Sequence, residues 1–151
     1  MNYQKNRTTY YNVDGKKICG IHEHAPDTWN FIKTTWFHKD GKTIDTIIEY
    51  DPQTENIIKD TSYNSDGTIN FIHEYDPQTG KIIKETEYTP DGKTIDTIFE
   101  YDPQTGKEIK YTEYNLYGKL SYIVDYNPQT GKQIKYTSYN PDGTIKEEKT
   151  F

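Results

Sequence analysis

An internal repeat limits the possible folds of this chain more than any other feature. Glu49-Tyr50-Asp51-Pro52-Gln53-Thr54 returns at 74–79 and 100–105, and in altered form as Asp125-Tyr126-Asn127-Pro128-Gln129-Thr130. The tyrosines at 50, 75, 101 and 126 set a period that alternates between 25 and 26 residues. Asp-Gly pairs lie between them at 14–15, 40–41, 66–67, 91–92 and 142–143, with Tyr117-Gly118 in the remaining copy. A unit this short cannot enclose a core of its own and must rest on its neighbours. The longer units read Gly-Lys-Thr-Ile where the shorter ones read Gly-Thr-Ile, and an added residue beside a turn is the sequence mark of a β-bulge.

Both landmarks are turns. In Asn140-Pro141-Asp142-Gly143 the proline presets φ and the glycine supplies a left-handed residue, which makes a short hairpin loop. Asp76-Pro77-Gln78-Thr79-Gly80 is a longer loop of the same design, with Asp76 as an acceptor for turn N–H groups. In the first copy Ala25 stands where the others carry Asp or Asn. The segments between turns have ordinary strand lengths: 4–11, 16–24, 31–37, 42–50, 56–63, 68–75, 81–88, 93–101, 107–114, 119–126, 132–139 and 144–150. Short turns force sequential antiparallel pairing. The expected fold is therefore all-β, an extended antiparallel β-meander of about twelve strands in a single twisted or coiled sheet. It forms one repeat domain with units at about 12–37, 38–63, 64–88, 89–114 and 115–139. Charged cap strands are expected at 4–11, where Asn replaces a stripe isoleucine, and at 144–151.

Side chains alternate across a strand. Counting outward from the turn puts Tyr75 opposite Ile82, His73 opposite Lys84 and Phe71 opposite Thr86. One face would then carry both tyrosine rows with the threonines and lysines. The other would carry an isoleucine stripe (Ile47, Ile72, Ile98, Ile123) flanked by Glu49, Glu74, Glu100 and Asp125. Apolar residues make up only 31% of the chain, and they include 15 tyrosines. A thick two-layer core is not expected from that content. The strict patterning and 15% aromatics argue against disorder despite a mean hydropathy of -1.06.

A net charge of -6 disfavours nucleic acid as a partner. The lone Cys19 allows no internal disulfide. No apolar run reaches transmembrane length, so membrane insertion is not expected. No signal peptide is visible at Met1-Asn2-Tyr3-Gln4.

The run Glu-Tyr-Asp-Pro-Gln-Thr-Gly-Lys, followed by Ile-Lys-x-Thr-x-Tyr-x-Pro-Asp-Gly-Lys-Thr-Ile-Asp, resembles a repeat family of unknown function found in phytoplasma proteins. Residues 74–101 match it best, and the pattern covers about residues 12–151. More loosely the chain is similar to MORN-type hairpin repeats and to the tyrosine–aspartate repeats of large bacterial toxins. The phytoplasma resemblance implies a secreted or surface protein of a bacterium living inside plant cells, and a host-directed effector. It implies no catalytic residues, cofactor or ligand.

His22 and His24 share a strand face, but Cys19 falls on the opposite parity, so no metal site is expected. Carboxylate pairs such as Glu85 and Glu87 are ladder positions with nothing to separate their pKa values. No nucleophile–base arrangement stands out, so neither catalysis nor a cofactor is expected. Binding is expected instead, from the positions where the repeats differ. Trp29, Phe31, Trp36 and Phe37 crowd the first unit, with Trp36 where other units have Ser62, Glu87, Glu113 and Ser138. Tyr111 and Tyr136 replace Asp60 and Glu85. Large aromatics of this kind are common interface anchors, although the first unit can equally serve as a terminal cap and Tyr111 and Tyr136 as a packing pair. The leading expectation is a module that binds a host protein. A structural surface array and a glycan-binding protein are the alternatives.

Overall fold

The computed structural model describes residues 6–151. Twelve strands lie side by side in chain order in one antiparallel sheet. They are β1 (Arg7–Tyr11), β2 (Ile18–His24), β3 (Phe31–Phe37), β4 (Ile44–Tyr50), β5 (Ile57–Tyr63), β6 (Ile69–Tyr75), β7 (Ile82–Tyr88), β8 (Ile95–Tyr101), β9 (Glu108–Tyr114), β10 (Leu120–Tyr126), β11 (Gln133–Tyr139) and β12 (Ile145–Thr150). The expected all-β meander is the observed one. Residues 4 and 5 of the first expected strand lie outside the described residues.

Each long turn is held by its first residue. Asp76 N–H donates to Lys81 O at 2.9 Å, and Gly80 N–H donates to Asp76 O at 2.8 Å. Asp76 Oδ1 also accepts the Thr79 and Gln78 N–H groups at 2.7 and 3.1 Å, and the Thr79 bond is the main cause that lowers its pKa. Asp51, Asp102 and Asn127 repeat the arrangement. The short turns come in two lengths. His38 N–H and Thr89 N–H reach Thr43 O and Thr94 O, five residues on, whereas Asn64 and Asn140 reach Thr68 and Thr144, four residues on. The extra residue of the longer units is thus taken up in the loop. It is not the source of a bulge, as its position in the sequence had suggested.

Bulges are present at every turn of both kinds: the register slips next to the turn in every neighbouring strand pair. This overturns the expected faces. Tyr75 does pair with Ile82, but Ile83 is then left over, so Glu74 meets Lys84, His73 meets Glu85, Ile72 meets Thr86 and Phe71 meets Glu87. A one-residue slip moves every later side chain to the other face.

One face, the ladder face, therefore carries two mixed rows. In the first, Ile21, Ile47, Ile72, Ile98 and Ile123 alternate with Thr35, Thr61, Thr86, Thr112 and Thr137. In the second, Glu23, Glu49, Glu74, Glu100 and Asp125 alternate with Lys33, Lys59, Lys84, Lys110 and Lys135. The tyrosine rows are split. Strand alternation keeps Phe37, Tyr63, Tyr88, Tyr114 and Tyr139 on the ladder face and puts Tyr50, Tyr75, Tyr101 and Tyr126 on the opposite one.

Among the described residues no second layer covers either face. Ile21 and Val124 are the only buried hydrophobic residues among them, while the ladder threonines are buried at 5–8% exposure. Stability must come from the backbone ladder and from cross-strand pairs, each worth about 0.2–1 kcal/mol. Lys84–Glu74 and Lys110–Glu100 lie at 3.9 and 4.0 Å; these half-exposed pairs are individually weak but recur along the sheet. A second seam runs along the long turns. Asn30 and Asn56 Nδ2 donate to Pro52 O and Pro77 O, each at 2.9 Å, and Lys81 Nζ donates to Gln104 O at 2.6 Å. Lys107 Nζ makes the equivalent bond to Gln129 O. Every residue of β12 is exposed, and Glu148 takes the row position of an isoleucine opposite Thr137, which blunts that edge against further pairing. At the other edge the row residue is Thr9, opposite Ile21, and not Asn6 as expected.

Two glycine substitutions separate conformational from contact costs. Gly106 has φ 72 and open space around the missing Cβ, whereas a Cβ on Gly92 (φ 63) would lie 2.4 Å from Thr68 Cβ in the preceding short turn. Gly106→Ala should cost about 1–2 kcal/mol. Gly92→Ala should cost measurably more in urea unfolding, and equal costs would mean that adjacent turns do not press on one another.

Candidate functional site: the divergent face

The face opposite the ladders lacks their regularity. Its central row reads His22, Thr34, Ile48, Asp60, His73, Glu85, Phe99, Tyr111, Val124 and Tyr136 across β2–β11. The adjoining row runs from Gly20 and Trp36 through Phe71 and Glu87 to Glu113 and Tyr122. The residues that vary from unit to unit collect here, while the positions facing the ladders hold to one pattern.

An aromatic cluster occupies the β1–β4 end. The His22 ring lies 4.7 Å from Tyr10, 5.1 Å from Phe31 and 5.5 Å from Trp36, centroid to centroid. His24 stands 4.7 Å from Phe31 and 5.6 Å from Trp29, and Phe31 continues to Tyr50 at 5.8 Å. Gly20 makes room for Trp36: a Cβ there would sit 2.4 Å from the indole. Trp29 has φ 62 at the turn position where Gly80, Gly106 and Gly131 have φ 67, 72 and 73. Trp29 N–H keeps the same bond, to Ala25 O at 3.0 Å, and its carbonyl lies 2.8 Å from His24 Nδ1. A bulky side chain in this backbone region is strained. The indole is nevertheless 57% exposed, and that of Trp36 is 38% exposed.

Two further groups continue across the face. At its centre, His73 lies 3.4 Å from Asp60 and 3.9 Å from Glu85. Tyr75 donates its hydroxyl to Asp60 at 2.7 Å and Tyr101 donates to Glu85 at 2.8 Å. Burial and these carboxylates raise both phenol pKa values. Toward β11, Phe99, Tyr111, Tyr122 and Tyr136 form a continuous strip at successive centroid distances of 5.0, 5.6 and 5.7 Å.

Trp29, Phe31 and Trp36 come together as one cluster, and Tyr111 and Tyr136 share their face. Phe37 does not belong with them. It lies on the ladder face by strand alternation from Thr35, opposite Ile44. Tyr122 and Phe99, which complete the tyrosine strip, were missed, as were Tyr10, His22 and His24 in the cluster. Their face could be read from the sequence only by placing a bulge at every turn. Among the described residues no group of three or more His, Cys, Asp or Glu side chains is placed to hold a metal.

Both ring nitrogens of His22 are buried without a hydrogen-bond partner among the described residues. Burial lowers the pKa of this ring, and repulsion from His24 adds to the effect. Above about pH 6.5 the imidazole is neutral folded or unfolded. As pH falls below that value the unfolded chain takes up a proton that the fold resists. Stability therefore drops until His22 itself titrates, and then levels. His22→Phe should remove part of the fall in melting temperature between pH 7 and 5.5. An unchanged pH profile would refute this role for His22. Gly20→Ala should displace Trp36, cost about 1–3 kcal/mol and shift the tryptophan fluorescence; an unshifted spectrum would show that the strand accommodates a methyl group there.

Comparison with known proteins gives a family match along almost the whole chain. The family model described as Protein of unknown function (DUF2963) matches residues 11–62, 37–87, 63–113, 88–123 and 114–151. No curated protein matches. Among solved structures the chain is similar to TarM (13% identity, 72% of this chain and 20% of that one, TM-score 0.46). It is also similar to a chain of accessory secretory protein 1,2 and 3 from Streptococcus pneumoniae (13% identity, 94% and 20%, TM-score 0.44). A third likeness is to TcdB2-TccC3 (15% identity, 95% and 9%, TM-score 0.34). The chain spans a fifth or less of the length of each, and at these scores the likenesses carry no functional argument.

Proposed function

The chain belongs to the family described as Protein of unknown function (DUF2963), and we propose that it is a non-catalytic repeat module that binds a protein partner through its divergent face. The observation that carries this reading is the division of labour between the two faces. A sheet held together only by its ladders must repeat them, whereas a recognition surface must not repeat. The residues that break the pattern are large aromatics on one side of the sheet, the type most often found as binding anchors. Trp29 supports the reading further: at a turn position filled elsewhere by glycine or Glu55, it presents a large aromatic side chain that stays mostly exposed. The setting we propose is a secreted or surface protein of a phytoplasma-like bacterium, with a host protein as partner, as the repeat motif implies.

A structural array is the second reading, favoured by the edge strands β1 and β12, each paired on one side only among the described residues. An even number of strands lets β12 of one copy meet β1 of another antiparallel. An apparent molar mass by light scattering that grows with concentration would support it, and a monomer at high concentration would remove it.

The binding reading is tested with Trp29→Gly and Trp36→Ser, which install residues that other repeats carry at these places. Trp29→Gly should leave stability unchanged or raise it by about 1 kcal/mol, and both variants should remain folded. Capture of a partner from plant extract should fall at least tenfold in each. Retained capture would move the anchor elsewhere on the face, and absence of any partner for the folded protein would overturn the reading.

A further inference from the structure

The charge of this sheet is not shared equally between its faces. On the ladder face, acid and lysine alternate strand by strand from Glu23 to Lys135, so each charge stands opposite its counterion. On the divergent face the strand positions carry Asp60, Glu85, Glu87 and Glu113. Among the described residues their alternation supplies no lysine or arginine before Lys149 in β12, and Lys149 is paired with Glu147 at 2.9 Å. In the turns, Lys81 is held by Gln104 O, Lys107 by Gln129 O and Lys119 by Pro141 O. His73 lies 3.4 Å from Asp60 and 3.9 Å from Glu85, while the bonds found on the acids nearer the strip come from hydroxyls: Thr97 donates to Glu87 at 2.8 Å, Tyr101 to Glu85 at 2.8 Å and Tyr111 to Glu113 at 3.1 Å. Glu108 at the start of β9 has its carboxyl pKa raised by burial and by Glu85, a sign that negative charge is crowded there.

The second observation is the strip Phe99–Tyr111–Tyr122–Tyr136, which runs across four strands beside these carboxylates. At a strand spacing of about 4.8 Å it is roughly 14 Å long. An aromatic face attracts a cation, and more strongly a guanidinium that can stack on it. A carboxylate at the ring's edge then completes the recognition of the same side chain. The aromatic strip and the excess of carboxylates over lysine and arginine beside it suit a chain of cationic side chains. A polyanion such as nucleic acid would be repelled.

We propose that the β7–β11 part of the divergent face docks an arginine- or lysine-rich polypeptide segment, whose cationic side chains lie over Tyr111, Tyr122 and Tyr136 and pair with Glu87 and Glu113. This rests on the binding reading above and gives the partner its chemistry.

Calorimetry with a nine-residue arginine–serine peptide and its glutamate–serine counterpart tests the proposal on the full chain. The basic peptide should bind and the acidic one should not. Glu87→Gln/Glu113→Gln keeps the hydrogen bonds to Thr97 and Tyr111 and should weaken binding at least tenfold with an unchanged melting temperature. Tyr122→Leu should weaken it severalfold at constant charge. Asp27→Asn/Glu55→Gln, in the exposed turns, removes the same charge and should have no effect. Equal losses in the face and turn variants would reveal general attraction to an acidic protein and overturn the proposal, as would a basic peptide that binds no better than the acidic one. If a captured partner is lost in the Trp29 or Trp36 variants yet binds the Glu87/Glu113 variant normally, the binding reading survives and this inference fails.

Discussion

The bulge beside each turn is the constraint on which the rest of this sheet depends. A two-stranded turn fixes which residues meet at its mouth, and the bulge then offsets the two strands by one residue before the ladder begins. That offset brings acid opposite lysine and isoleucine opposite threonine on one side. Without it His73 would face Lys84 and Phe71 would face Thr86, and the charges that now alternate along one row would be divided between two faces. The same offset separates the two tyrosine rows, so each edge of the sheet is lined by aromatics on a different side. Its repetition at every turn keeps the twelve strands in phase.

With that register in place, a single layer can hold together without a core. Each strand contributes the same small set of cross-strand contacts, and the asparagine and lysine side chains of one long turn bind carbonyls of the next. No contact is large. They act together because each strand is fixed on both sides, and they weaken only at the ends, where β12 exchanges an isoleucine for Glu148 and presents charge. Since one face performs the stabilising work, the other can vary. It carries the tryptophans, the histidine–carboxylate group and the tyrosine strip with little penalty to the ladders behind it.

The first unit shows where that freedom meets a cost. Ala25 has lost the side-chain acceptor that holds the other long turns, Trp29 stands in a left-handed conformation that three later copies give to glycine and the second gives to Glu55, and Gly20 leaves a strand position empty under Trp36. Each change runs against local preference, and together they gather indole, imidazole and phenyl rings in one place. Several local rules broken together in one unit are what a site grafted on a repeating scaffold looks like.

Much was legible in the sequence alone. The copied Tyr-Asp-Pro-Gln-Thr and Asp-Gly runs determine the turns, the turns determine sequential antiparallel pairing, and the low aliphatic content determines a thin sheet. Trp29, Phe31, Trp36, Tyr111 and Tyr136 stand out because their counterparts in other units differ. The faces could not be read in the same way. Alternation along a strand is a rule of parity, and parity survives a turn only if no residue is inserted, whereas here one is inserted beside every turn. Composition cannot count that residue, because a bulge is a property of how two backbones pair. The tertiary structure alone therefore decided that the isoleucine and acid rows join the threonines and lysines that share a face with Phe37, that Tyr122 joins Tyr111 and Tyr136, and that the unbalanced acids share the aromatic face.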